Sequence, residues 1–420
     1  MGSISLRHQL IYALLLFVML VLLVPRGGHG GDINFWVRWA TYIHEHGLGS
    51  AYQIADNDYN PFYHYILWLF GSLMGRSEKI EHYGRALKAF TLVFDFAGAF
   101  WAASLVADRS RRFGLVLLLL FNIGYLYNTV VWVQVDSIYT FFSFGAVVLA
   151  VQRRSAASLM FYVLALSSKT QAIIFLPPLL LLWLPQWWLR PSRLAWSLAA
   201  GAGLLLLVLA PFTWWSAQNY LPRIIDINLH VTNAFPRVSP SAYNLWYLLA
   251  PKDSALQNVS DQLPVAFGLT YRAWGLLLFF SSSVVALTPL LVAAWRTLRR
   301  LPGAGPAPDL ALTLLSCGCI PLLFCFFNTQ MHERYWHASI LFLAAYGFLR
   351  RDYLPYILAS VAYFLNLECV LRHLELMNYE VLVFQEQFVA AIFALAILLA
   401  VFKIYRLAPW RSLPPVAAAA

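Results

Sequence analysis

Two short stretches carry residue types that could do chemistry together. The first is Gly31-Asp32-Ile33-Asn34-Phe35-Trp36, which follows the first apolar run through a glycine-rich turn. A carboxylate held out by such a turn can accept the proton of a hydroxyl as that hydroxyl attacks. Asp32 could also cap the helix that follows it, since Asp is a favoured N-cap, and the two roles are compatible. The second stretch is Met331-His332-Glu333-Arg334-Tyr335-Trp336-His337. Arg334 offers a planar fork to phosphate oxygens and His332 a further donor, while Glu333 is either a site carboxylate or a counter-charge for its neighbour. His332 and His337 are five residues apart, a poor match for one helix face. The string therefore does not read as the two-histidine zinc motif, and no metal is expected.

Four weaker groups accompany these two. Asp56-Asn57-Asp58-Tyr59-Asn60-Pro61-Phe62-Tyr63-His64 is a turn signal by its Asp, Asn and Pro, notable for following Asp32 by about 25 residues, and it supplies Asp58 and His64 as candidates. Trp132-Val133-Gln134-Val135-Asp136 opens an apolar run. Its Trp fits an interfacial belt, and Gln134 and Asp136 either cap the run or line a site. Lys169 and Gln171, between two apolar runs, form a short hairpin in which the lysine is a snorkelling anchor or a phosphate or sugar contact. Ser241-Ala242-Tyr243-Asn244-Leu245-Trp246 adds Asn244 and Trp246.

Positioning these residues is a matter of membrane helices. Of 420 residues 61% are hydrophobic and 11% charged, with a mean hydropathy of +0.65. Soluble domains average about a quarter charged, so the chain is expected to be an all-α polytopic membrane protein forming one integral membrane domain over residues 1–420. The net charge of +10 then speaks of topology, not of nucleic acid. About 12 spans are expected, near 9–25, 88–106, 112–130, 136–151, 155–168, 171–186, 194–212, 264–294, 309–327, 336–349, 353–369 and 383–402. The first, lacking a small-x-small cleavage site, reads as an uncleaved span. All four cysteines fall in apolar runs and read as buried small hydrophobes.

Residues 61–74 are apolar but short for a span, which needs about 20 residues. If they lie at the outer surface, sixteen Lys and Arg fall in cytoplasmic loops and ends against three Asp. If they cross, the basic turns Arg109-Ser110-Arg111-Arg112 and Gln152-Arg153-Arg154 move outside, against the positive-inside rule. Both termini are therefore expected in the cytoplasm, with residues 404–420 as a tail. A first outer loop, 26–87, would carry short amphipathic helices, and a second would span 213–263. Every candidate named above then falls at an outer end or in an outer loop. Asp95, Arg272 and Glu368, the charges inside spans, lie nearer that side too, which points to one site opening outward.

In this order the motifs resemble the GT-C superfamily of membrane glycosyltransferases, and are similar to bacterial relatives of the PIG-V type mannosyltransferase of GPI-anchor synthesis. The matching landmarks are Asp32, Asp58-Tyr59-Asn60-Pro61, Trp132-x-Gln134-x-Asp136, Lys169-x-Gln171, Tyr243-Asn244-Leu245-Trp246 and His332-Glu333-Arg334-Tyr335. Close relatives usually carry two prolines after the Asp-Tyr pair, where this chain has Asn60 before a single Pro61. The resemblance implies a GT-C-like helix arrangement and transfer of one sugar, mannose or another hexose, from a polyprenyl-phosphate donor. The acceptor would be a hydroxyl of a lipid-linked glycan, polysaccharide or protein on the non-cytoplasmic face. It implies Asp32 as the catalytic base, with His332, Arg334 and Lys169 at the donor phosphate. Glu333, Asp58, His64, Gln134, Asp136, Gln171, Asn244 and Trp246 would line the site. No cofactor or metal is expected, and the partners are membrane lipids, donor and acceptor. An arginine-rich, Ala- and Leu-rich composition points to a bacterial inner membrane with the site facing the periplasm or exterior; in a eukaryote it would face the endoplasmic reticulum lumen. The rival readings are a polymerase or ligase using lipid diphosphates, a transporter of lipid or sugar, and a membrane acyltransferase.

Overall fold

Apolar runs punctuated by arginine-rich turns become helices along the whole chain, and the result is an all-α membrane protein. The structure is a computed structural model that describes residues 5–22, 28–230, 235–252, 254–299 and 308–412. Gly27 of the glycine-rich turn, residues 231–234 and 253 of the second loop, Arg300 and residues 413–420 of the tail lie outside the described residues.

α1 (Leu6–Leu22) is followed by α2 (Gly30–His46), α3 (Pro61–Met74) and α4 (Ser77–His82). Next come α5 (Lys88–Ser104), α6 (Arg109–Leu120) and the short α7 (Ile123–Leu126), which runs into a π-turn over Tyr127–Val131. α8 (Asp136–Val151) and α9 (Ser155–Ser168) form a tight pair. A 3-10 turn, Thr170–Phe175, leads into α10 (Leu176–Leu189) and α11 (Pro191–Thr213). The second loop holds α12 (Leu221–His230) and α13 (Leu245–Leu249). α14 (Tyr271–Leu298), α15 (Leu310–Phe327), α16 (His337–Arg350), α17 (Leu354–Leu371) and α18 (Glu386–Arg406) complete the chain.

Among the described residues, seven helices are long and apolar enough to cross a membrane, or eight if the bent α6–α7 pair is one span. α1, α8 and α9 are apolar but shorter. Helix is present in all twelve expected segments, with two changes. The segment 112–130 is not one rod: it bends by 62° between α6 and α7. Asn122 makes that break, its side chain accepting from the Tyr125 N–H at 3.1 Å and donating to the Tyr356 and Ser360 hydroxyls. The segment 264–294 loses its start to a hairpin, Pro264–Ala266 against Leu269–Thr270, because Phe267 and Gly268 both adopt positive φ. α3 is a helix of 14 residues, about 21 Å long by helical rise, against about 30 Å of hydrocarbon.

α8, α15 and α16 are buried nearly all round, which is what helices with apolar residues on every face require in a protein interior. Cys317, Cys319 and Cys325 are buried there as free thiols, and Cys369 is half-buried. α11 and α14 instead turn Leu205, Leu206, Leu207, Phe280 and Val284 outward. The carboxylates inside the helices differ: neither oxygen of Asp95 has a hydrogen-bond partner among the described residues, whereas Glu368 has three donors. Asp95 of α5 faces His337, at the start of α16, across 3.7 Å. Glu368 of α17 accepts from the Tyr127 hydroxyl at 2.5 Å, the Leu374 N–H at 2.9 Å and the Tyr379 hydroxyl.

Candidate functional site

α2 is amphipathic, with Ile33, Trp36, Trp39, Ala40 and Ile43 buried on one face. Asp32 lies on that face one turn before Trp36 and so points inward at the helix start. It does not cap the helix: His29 is the N-cap, and Asp32 sits at the third helical position. There the helix dipole still favours its negative charge. Gly31 allows the arrangement, since a Cβ there would come within 3.1 Å of His29 Cε1 and press on the ring that folds back over Asp32.

One oxygen of the carboxylate takes every contact found. Asp32 Oδ2 accepts from Trp132 Nε1 at 3.0 Å and Gln134 Nε2 at 2.5 Å, and His29 Nδ1 lies 3.1 Å away. Among the described residues no hydrogen bond reaches Oδ1. Burial pushes the Asp32 carboxyl up, but the His29 hydrogen bond, the Arg334 charge and the Trp132 indole outweigh it and hold it well below the usual carboxylate range. The same hydrogen bond raises His29 above its ordinary 6.5. Asp32 is thus a carboxylate ionised at neutral pH, with one oxygen anchored and one open.

Trp132 and Gln134 reach Asp32 because the chain between the π-turn and α8 is strained. Val133 has φ 67°, a left-handed conformation that a β-branched residue rarely adopts. It is held there by the Trp36 indole on its carbonyl at 3.4 Å and by the Gln134 N–H on Asn128 O at 2.9 Å. Strain of this kind persists where the surroundings over-determine it, and it clusters at functional sites. Two residues on, Asp136 is fully buried, ion-paired with Lys169, and receives the Asn128 amide at 3.3 Å.

The His-Glu-Arg string forms a 3-10 turn, Glu333–Trp336, between α15 and α16. Glu333 is spent internally, on Arg334 Nη1 at 3.2 Å and on the Ser241 hydroxyl. The turn is fixed from α17: Asn366 receives the Trp336 indole at 3.1 Å and donates to Ser241 O at 2.9 Å, and the Tyr363 hydroxyl reaches Arg334 O at 3.4 Å. Among the described residues three buried nitrogens of the string have no hydrogen-bond partner: His332 Nε2, Arg334 Nε and, deeper at the start of α16, His337 Nε2. Burial first, then Arg334 and Lys169, push His332 down to about 3, so it is a neutral imidazole at physiological pH.

The two stretches meet electrostatically. The Arg334 charge acts on Asp32, Asp58, Tyr59 and His29, and both Lys169 and Arg334 lie over the Tyr335 ring, at 5.3 and 5.6 Å. The side chains of Asp32, Arg334, His332 and Lys169 are each between 11 and 18% exposed. Groups this deep in protein and still open to solvent line a recess. Asp58 is exposed and feels the same charges: desolvation, then Asp56, raise its carboxyl against its own backbone hydrogen bond and the Arg334 and Lys169 charges.

Four predicted residues serve elsewhere or gain no partner. His64 is locked between Asn57 Nδ2 at 2.5 Å and Asn60 O at 3.2 Å and stacks on Tyr52. Asn244 caps α13 and ties it to the Cys325 and Asn328 carbonyls. Trp246 packs on Tyr271 in a separate small core with Val238 and Leu256. Gln171 is half-buried with no hydrogen bond among the described residues. Conversely, His29 and the indole of Trp132 belong to the site. The signal for His29 was its place in the glycine-rich turn three residues before Asp32; Trp132 was visible as the first residue of the Trp132-x-Gln134-x-Asp136 motif and as an interfacial tryptophan. A cavity of about 640 Å³ lies on the opposite face of α2, against Glu81 and Arg85, and is not this recess. No family model and no curated protein matches the chain.

Proposed function

We propose that this protein is an inverting glycosyltransferase of GT-C type that moves one hexose from a polyprenyl-phosphate donor to an acceptor hydroxyl on the non-cytoplasmic face. Twelve spans with both termini in the cytoplasm put the arginine-rich helix ends inside and the Asp32 recess outside. Asp32 Oδ1 takes the acceptor proton as the acceptor oxygen attacks the anomeric carbon from the face opposite the phosphate. The bond from that carbon to the phosphate oxygen breaks, and polyprenyl phosphate departs. Arg334 Nε and His332 Nε2 stabilise the departing charge electrostatically, with Lys169 contributing from its pair with Asp136. Mannose is the sugar favoured by resemblance, and no metal takes part.

The observation that carries this reading is a half-anchored carboxylate, ionised at neutral pH, in the field of two buried donors, Arg334 Nε and His332 Nε2 in its Nε2–H tautomer, that lack partners among the described residues. A charged phosphate is the ligand those donors suit. The test is sugar transfer by purified, metal-chelated protein, offered polyprenyl monophosphate and diphosphate sugars in parallel. Transfer from the monophosphate without metal is expected. Transfer only from the diphosphate, or only after metal is restored, would point to a lipid-diphosphate enzyme instead.

A further inference from the structure

At the opposite helix ends from Asp32, a cavity of about 180 Å³ opens between the α8–α9 turn, α10, the start of α11 and the end of α14. Its walls divide in two. Leu181, Leu182 and Leu189 make an apolar side, while Arg153, Arg190 and Arg193 bring three cations to the lining. Other cations at these ends have acids to meet: Arg350 pairs with Asp309 and Lys403 with Asp352. Among the described residues none of the three cavity arginines has a carboxylate partner; Arg193 reaches only the Arg153 carbonyl, at 3.4 Å. Three like charges around an apolar-walled space repel one another more than in open water, and an anion between them relieves this.

A second feature narrows the anion. Gln186 also lines the cavity, and its amide nitrogen is used up on Ala150 O at 2.8 Å and Leu182 O at 2.9 Å. Its Oε1 is buried with no hydrogen-bond partner among the described residues. An acceptor beside three cations calls for a ligand that is an anion and also carries a donor. The exposed indoles of Trp188, Trp196 and Trp295 flank the same ends, as at the water–hydrocarbon boundary. Basic pockets between spans at that level are sites for lipid headgroups.

We propose that this cavity binds an anionic glycerophospholipid whose headgroup carries a free hydroxyl. Its phosphate lies among Arg153, Arg190 and Arg193, its hydroxyl donates to Gln186 Oε1, and its acyl chains leave along the leucine wall. The site does not depend on the proposed reaction.

The test uses the full chain in nanodiscs of phosphatidylcholine doped with phosphatidylglycerol, with retained lipids counted by native mass spectrometry. The wild type is expected to prefer phosphatidylglycerol by at least roughly tenfold, on the scale of polybasic attraction to anionic lipid. The R153Q/R190Q/R193Q variant should lose that preference, and Arg299→Gln, at the same ends but outside the lining, should keep it. Ala294→Phe fills the cavity without touching a charge and should also lose it, which decides the matter if the triple variant fails to fold. Gln186→Leu should hold phosphatidylglycerol and phosphatidic acid equally. An undiminished preference in Ala294→Phe overturns the proposal, as does displacement of the lipid by millimolar inorganic phosphate, which would mark a site for free anions.

Discussion

His64 is buried and His332 largely so, and burial pulls each imidazole down to about 3. Their surroundings differ in one respect. His64 accepts from Asn57 through Nε2 and donates to the Asn60 carbonyl through Nδ1, so one neutral tautomer satisfies both ring nitrogens. His332 has Glu333 at 3.9 Å from Nδ1, too far for a hydrogen bond, and nothing at Nε2. Burial and a displaced pKa therefore do not separate these two histidines; the unfilled Nε2 of His332 does. The same contrast holds for the carboxylates. Glu333 is consumed by Arg334 and Ser241, and Glu368 by three donors, whereas Asp32 keeps one oxygen open.

The largest expected effect is at Asp32. Asp32→Asn keeps the shape and removes the base, and sugar transfer should fall by about 10²–10⁴ while the unfolding temperature stays near that of the wild type. Near-normal turnover would remove Asp32 from the mechanism.

The histidine contrast can be broken directly. His332→Gln should cost roughly 10²-fold in turnover, as removal of a single transition-state donor does, with little change in thermal stability. His64→Gln should do the reverse, losing about 1–3 kcal/mol of stability by disturbing a buried hydrogen-bonded group with normal turnover per folded molecule. Exchanged outcomes would invert the assignment.

A smaller effect concerns pH. His29 titrates above its ordinary 6.5 because Asp32 stabilises its proton. The stability this adds is fully present below 6.5 and is lost as pH rises through the raised value. Over the same interval Asp32 sheds a cationic donor and becomes the stronger base. Transfer should accordingly rise a few-fold through a value above 6.5, and His29→Ala should flatten that limb; a profile unchanged by the substitution would separate His29 from catalysis.

The smallest expected effect is at Val133, where a left-handed β-branched residue stores about 1–3 kcal/mol. Val133→Gly should raise the unfolding temperature by a few degrees and lower turnover, by loosening Trp132 and Gln134. A stabilised variant of undiminished activity would make the strain incidental to the site.

Sequence periodicity and charge were enough to read an all-α membrane protein, because apolar helix length and basic loops are local properties that the bilayer enforces. Helix was legible in all twelve segments, and the shortness of 61–74 was visible as well. The break at Asn122 was not, because it depends on Tyr356 and Ser360, more than 200 residues away. Nor was the hairpin ahead of α14, since Val265 and Leu269 are as apolar as a span. In the site, Asp32, Gln134 and Arg334 could be picked out by type. Asn244 and His64 could not be excluded, because a cap or a packing partner uses the same polar atoms as a ligand site.

What the sequence determined by itself was the solvent each apolar segment would meet, since length and hydropathy are local properties. Only the tertiary structure decided which of the polar residues were already satisfied. Hydrogen bonds are completed by partners about a hundred positions away, as Asp32 is by Trp132 and Gln134. What remains unfilled after folding, on Asp32 Oδ1, His332 Nε2 and Arg334 Nε, is a property of the packed protein and of no single stretch of it.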